Sequence, residues 1–189
     1  MINFIRENFK TYNPRKDSKD LLPNKAGNYV VLLKKETPFP MEGVENVPVI
    51  HDMELGGETY QLIYTGSTSV LQRRIGVNHF GDATDAGRST LRLSLGCLMG
   101  FTKIFRERTE EHMKFKGSDE QRLTEWMHEH LLILYYENSN YKTDERSMIF
   151  ALNPPLNINR NRWKENAEFR SELSYLRKSK ETQFEPIVE

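Results

Sequence analysis

The sequence predicts an α+β fold: a small three-stranded antiparallel sheet flanked by helices. Three apolar runs carry that prediction, Tyr29–Leu33, Tyr60–Tyr64 and Leu131–Tyr136. Each is short and rich in β-branched, aromatic and leucine residues, as buried strands are. A loop rather than a helix separates the first two, so they are expected to run antiparallel.

Taken in order, the first 25 residues are polar and broken by Pro14 and Pro23, and read as an N-terminal extension with a short helix near 2–9. Strand one is expected at 28–34. Residues 36–58 contain Pro38, Pro40, Pro48 and the pair Gly56-Gly57, and read as a long inserted loop that leaves room for a short strand at 47–51. Strand two follows at 59–65. Ser67 or Ser69 then caps a helix reaching His79, with Leu71, Ile75 and His79 on one face. After a turn at 81–87, Ser89 caps a helix whose buried stripe is Leu91, Leu95 and Leu98. The pattern Ser118-Asp119-Glu120-Gln121 is a capping box opening a helix with Leu123, Trp126 and Met127 inward. Strand three is expected at 131–136. Thr143 or Asp144 begins a helix that ends at Asn153, because Pro154-Pro155 cannot continue it. A final amphipathic helix over 163–178, carrying Trp163, Phe169, Leu173 and Leu176, belongs to a C-terminal extension, 159–189.

Composition excludes several classes. No apolar run approaches the ~20 residues of a membrane span, so no membrane partner is expected. The single Cys97 rules out a disulfide framework and a cysteine zinc site and fits a cytoplasmic location. It sits among leucines, as a buried small hydrophobe does. Net charge is zero, but its distribution is uneven. Residues 36–58 hold six acids and no Lys or Arg, 70–110 hold seven bases against four acids, and 158–180 hold seven bases against three. Such a dipolar surface can meet a polyanion on one side and stay soluble; solvated helix faces would look the same from charge alone.

Two segments stand out chemically: Gly27-Asn28-Tyr29 opens the first strand and Tyr64-Thr65-Gly66 closes the second. Strands that each pair a Tyr with a Gly at one end can bring two phenols to one sheet edge. Arg74 follows Gly66 by eight residues, and helix-borne Glu145 is followed twelve residues later by Asn157 in a Pro-x-x-Asn setting. Together these elements resemble the GIY-YIG nuclease family over about 26–158. The isoleucine of each tripeptide is replaced, by Asn28 and Thr65, whose side chains point away from the tyrosine face.

The resemblance implies a metal-dependent DNA endonuclease that hydrolyses phosphodiester bonds. Tyr29 would be the general base, Tyr64 a positioning donor, Arg74 the phosphate clamp, with Arg73 its rival, and Glu145 the carboxylate for Mg²⁺ or Mn²⁺. A phenol is a poor base at neutral pH unless cations stabilise its anion. His79 resembles a histidine placed near the phosphate in many members, but it stands five residues after Arg74 rather than the four seen in some. Asn157 would order a turn or a water near Glu145. Arg73, Arg88, Arg92, Arg160 and Arg162 are candidate backbone-phosphate contacts. Residues 36–58, being acidic, are expected to face away from DNA. His128 and His130, two apart on a helix, point to different faces and cannot chelate together. A compact chain of this kind resembles the restriction-type members, and double-strand cleavage would need a homodimer. A repair or structure-specific nuclease, an RNA-directed hydrolase, and a binding module with the fold but little turnover stay open as alternatives.

Overall fold

The computed structural model describes residues 1–106 and 109–179; Arg108 and Lys180, counted in the basic runs above, lie outside them. The main sheet has five strands, in the order β1-β7-β2-β4-β3, and every neighbouring pair is antiparallel. At its centre lie β2 (Gly27–Lys34), β4 (Glu58–Thr68) and β7 (Leu131–Glu137), the three expected strands. β2 is buried along nearly its whole length because helices cover both faces, which is why it reads as an unbroken apolar run.

The three-strand expectation is corrected by two short edge strands. β1 (Lys10–Tyr12) pairs with β7, and β3 (His51–Leu55) forms a hairpin with β4. Gly56 and Gly57 make that hairpin turn with φ of 61° and 84°, a left-handed pair that glycine adopts without a Cβ clash. The Gly-Gly pair that suggested a loop is therefore a turn between strands. β5 (Lys103–Arg106) and β6 (Thr109–Phe115) form a separate two-stranded ribbon.

On one face of the sheet lie α1 (Ile2–Asn8) and α4 (Tyr141–Leu152), whose Ile5, Met148 and Leu152 pack with Val30, Leu32 and Leu62. The opposite face is larger. There α2 (Thr90–Leu98), α3 (Gly117–His130) and α5 (Ala167–Lys178) pack with Tyr29, Val31, Leu33 and Tyr64 through Leu91, Leu95, Leu123, Met127, Phe169 and Leu173. The expected N-terminal and C-terminal extensions thus each place side chains in the core. Residues 42–46 lie against α5, where the Glu172 carboxylate accepts from the backbone of Glu45 and Asn46 and from the Asn46 amide.

Several caps differ from expectation. Ser67 lies inside β4, and Leu71 precedes the next coil with no side-chain cap. Ser89 does cap α2, accepting from the Arg92 amide. α3 starts one residue before Ser118, and its Glu120 is used elsewhere. Asn153 ends α4 in the left-handed conformation, φ 42°, just ahead of the two prolines. α5 begins at Ala167, leaving Trp163 outside it and partly exposed.

Candidate active site

Side chains alternate along a strand, so Tyr60, Leu62 and Tyr64 would share a face if β4 were regular. It is not. Val31 pairs with Tyr64 and Leu32 with Leu62, which leaves Ile63 as an extra residue, a β-bulge. The bulge reverses the parity of everything beyond it. Tyr60 and Leu62 pack on the α1/α4 face, whereas Tyr64 crosses to the face that holds Tyr29. The two rings then lie 6.2 Å apart.

The glycines permit this closeness. Gly66 is the register partner of Tyr29, and a Cβ there would lie 2.3 Å from the Tyr29 hydroxyl. A Cβ on Gly27 would lie 2.2 Å from the Tyr136 carbonyl oxygen. Each Gly is a contact requirement: the first lets the phenol lie across β4, and the second lets β7 close on β2. Asn28 and Thr65 point the other way, as expected. The Asn28 amide donates to the Tyr141 carbonyl and accepts from Asn138, and the Thr65 hydroxyl donates to the Tyr29 carbonyl.

The coil after β4, Gln72–His79, is a π-helix rather than an α-helix. Its bonds span five residues, as in Phe80 N to Ile75 O at 3.1 Å. The wider turn brings residues five apart to one side. Arg74 and His79, whose spacing is a residue too long for an α-helical pair, therefore meet at one atom. Arg74 Nε donates to the Tyr29 hydroxyl at 3.4 Å, and His79 Nε2 lies 2.7 Å from the same hydroxyl. On its other side, His79 Nδ1 lies 2.7 Å from Ser89 Oγ, the α2 cap. Ser89 was legible only as a cap; its second role depends on how the π-helix returns.

Burial dominates the electrostatics here. Tyr29 is fully buried, which pushes its phenol pKa far above the ordinary value, with neighbouring Tyr64 adding to the rise and Arg74 only partly opposing it. His79 is also fully buried and is held well below its ordinary value, first by burial and then by Arg74 and Arg92. At neutral pH the site thus contains a protonated phenol facing an uncharged imidazole.

The free edge of β4 forms the other wall. β3 covers β4 only as far as Leu62. Beyond it the chain after α4 takes over: Leu156 N donates to the Ile63 carbonyl, and the Asn157 amide pairs with both backbone groups of Thr65, at 2.9 and 2.8 Å. Asn157 thus imitates a strand residue and fixes the turn against the sheet edge. This edge borders a cavity of about 230 Å³ lined by Tyr64, Thr90, Glu145, Ile149, Asn157 and Arg177, among others. Glu145 sits on the second turn of α4 and is paired with Arg160 at 3.4 Å; its side chain is 18% exposed. Arg177, on α5, is half-buried beside Tyr64, and burial lowers its pKa. It reaches this wall from a helix whose charges read only as a basic run.

The sequence model of the GIY-YIG catalytic domain matches residues 27–179, a span that includes α5. The chain belongs to the GIY-YIG nuclease family. No curated protein and no solved structure matches it.

Within this GIY-YIG domain Arg74 and His79 meet at the Tyr29 hydroxyl, Tyr64 lies beside Tyr29, and Tyr64, Glu145 and Asn157 line the cavity. One predicted contact is corrected. Arg92, expected to touch a phosphate, is fully buried and paired with Glu120 at 2.8 Å. It also donates to the His79 and Glu120 carbonyls and to Thr124. Glu120 in turn accepts from the Ala86 and Phe115 amides. Arg92 is a cross-brace holding the His79 backbone. Arg73, Arg88 and Arg162 are exposed, and the Arg88 carbonyl accepts from Arg74. His128 and His130 bond different partners, the Phe80 carbonyl and Thr37, as their spacing predicted. No helix of the described residues is long and apolar enough to cross a membrane.

Among the described residues no group of three His, Cys, Asp or Glu gathers as a metal cage. A lone, partly exposed carboxylate beside a roomy polar cavity suits a hard divalent cation that keeps most of its waters and takes its remaining ligands from a phosphate. Glu145 fits that requirement once Arg160 moves aside.

Proposed function

We propose that this chain is a divalent-metal-dependent DNA endonuclease that hydrolyses a phosphodiester bond in the cavity between Tyr64 and Glu145. The observation that carries the reading is the Tyr29 hydroxyl, shared between a guanidinium and an uncharged imidazole. Arg74 has no carboxylate within ion-pair distance among the described residues, so its charge is available to a phosphate. Bidentate clamping of the scissile group turns it away from Tyr29 and uncovers the hydroxyl.

Tyr29 then takes a proton from the attacking water while passing its own to His79 Nε2, 2.7 Å away. For Nε2 to accept, Nδ1 carries the hydrogen and donates it to Ser89 Oγ. The relay lets a phenol of high pKa act as a base without first existing as a phenolate. Tyr64 donates to a phosphoryl oxygen, and Arg74 stabilises the developing charge. Glu145 would hold Mg²⁺ or Mn²⁺, whose Lewis acidity stabilises the departing 3′-oxygen. Asn157 keeps the turn beside Glu145 in place.

Asn28 lies on the far side of β2 from these groups, so its presence does not favour a module without turnover. The finer role is either restriction-type, with a homodimer for double-strand cleavage, or structure-specific, and the aromatic surface described below favours the second. A plasmid-nicking assay with Mg²⁺ and with chelator tests it. Glu145→Ala is expected to abolish metal-dependent nicking while the protein stays folded by circular dichroism and still binds DNA. Full activity of that variant would sink the assignment.

A further inference from the structure

One aromatic surface stands outside the cleavage chemistry. Phe150, on α4, is 71% exposed, and Trp163 is 40% exposed, with ring centroids 5.9 Å apart. Trp163 is not loosely held. Its indole N–H donates to the Phe150 carbonyl, its amide donates to Asn161, and its carbonyl accepts from Arg170. Asn161 is itself tied to the Pro154 carbonyl at 3.2 Å. Two large rings are thus kept in water in a fixed arrangement, although burial would stabilise them.

Their place in the chain gives this a meaning. Phe150 lies on the exposed side of α4, the helix whose Glu145 and Ile149 line the cavity, and the loop that carries Trp163 also carries Arg160, which lines the cavity and pairs with Glu145. The surroundings are basic: Arg146 lies one helical turn before Phe150, and Arg162 and Lys164 flank Trp163, all three exposed, with Glu165 the acid next in sequence. Pinned aromatic faces beside cations form a stacking platform for nucleobases. Bases inside a duplex are already stacked and cannot reach such a platform; an unpaired base can.

We infer that the Phe150–Trp163 surface stacks an unpaired base next to the scissile phosphate, so that the substrate is DNA with a single-stranded segment at the cleavage point, such as a flap or branch. This rests on the nuclease reading, and the two can fail separately. In chelator, the full chain binds a fluorescent flap DNA more tightly than the matching blunt duplex, and the unpaired strand quenches tryptophan emission. Phe150→Ala, at an exposed position, weakens flap binding by about 5- to 100-fold and leaves duplex binding unchanged. Trp163→Ala does the same, and Trp163→Phe restores most of the loss. Equal weakening for both DNAs, no weakening for either, or a Phe150→Ala effect confined to self-association of the chain overturns the inference. A parallel Mg²⁺ cleavage assay separates the readings. Cleavage with no flap preference removes the inference alone; flap preference with no cleavage of any DNA removes the nuclease reading and keeps the platform.

Discussion

Arg74 and Arg92 both read in the sequence as phosphate contacts, and the fold sets them in opposite surroundings. Both reach the His79 region: Arg92 through the His79 carbonyl, and Arg74 through the Tyr29 hydroxyl that His79 shares. Arg92 is fully buried, with a carboxylate and several oxygens around it. Arg74 is half-buried and, among the described residues, meets the phenols of Tyr29 and Tyr64 and the Arg88 carbonyl but no carboxylate. A buried guanidinium must be neutralised by the protein itself. One that the protein leaves without a carboxylate can take its counter-charge from the substrate. The lesson is that a functional cation is recognised by the partner it lacks.

The sharpest break in this contrast is Glu120→Ala, which strands the Arg92 charge in the core. It is expected to cost about 3–5 kcal/mol of stability in urea unfolding, enough to unfold a marginal domain. Arg74→Ala should do the reverse, leaving the unfolding midpoint nearly unchanged and lowering the nicking rate about 10²- to 10³-fold. Arg74→Lys, which keeps the charge but loses the planar fork, is expected to fall between Arg74→Ala and wild type in the same assay. If Arg74→Ala instead unfolds the protein, Arg74 is a second brace and the contrast fails.

The smallest effect is on pH dependence. His79 is depressed in the folded protein, so the unfolded chain binds more protons once pH falls below its ordinary value of 6.5. Stability is therefore full above about pH 6.5 and declines on acidification toward the lower folded value. Arg74→Gln removes one of the charges that depress His79, so its folded value rises and the acid decline becomes shallower. Burial, the larger cause, remains, and so does most of the decline. Thermal unfolding across pH, with His79→Gln as the control that flattens this contribution, measures it.

Much of this was legible along the chain, because it depends on neighbours. Apolar runs mark the three central strands, prolines stop α4, Ser89 caps α2, and the tripeptides with Arg74, Glu145 and Asn157 mark the family. Other features depend on contacts between distant segments. β1 gives no signal of its own, and the short strand that the sequence allowed at 47–51 forms instead at His51–Leu55, because β7 and β4 offer the open edges these strands pair with. Arg92 faces inward because Glu120, 28 residues away, waits there, and Asn157 completes the sheet edge by pairing with Thr65, 92 residues away.

The sequence by itself determined the fold class, the family and the chemical types available: two phenols, a guanidinium, an imidazole and a carboxylate. Only the tertiary structure decided which of them meet. An extra residue at Ile63 turned Tyr64 onto the Tyr29 face, and an extra residue per turn after β4 brought His79 level with Arg74. Both are single-residue changes in periodicity. A period of two or 3.6 read from local pattern cannot foresee such a slip, because packing against the rest of the chain stabilises it.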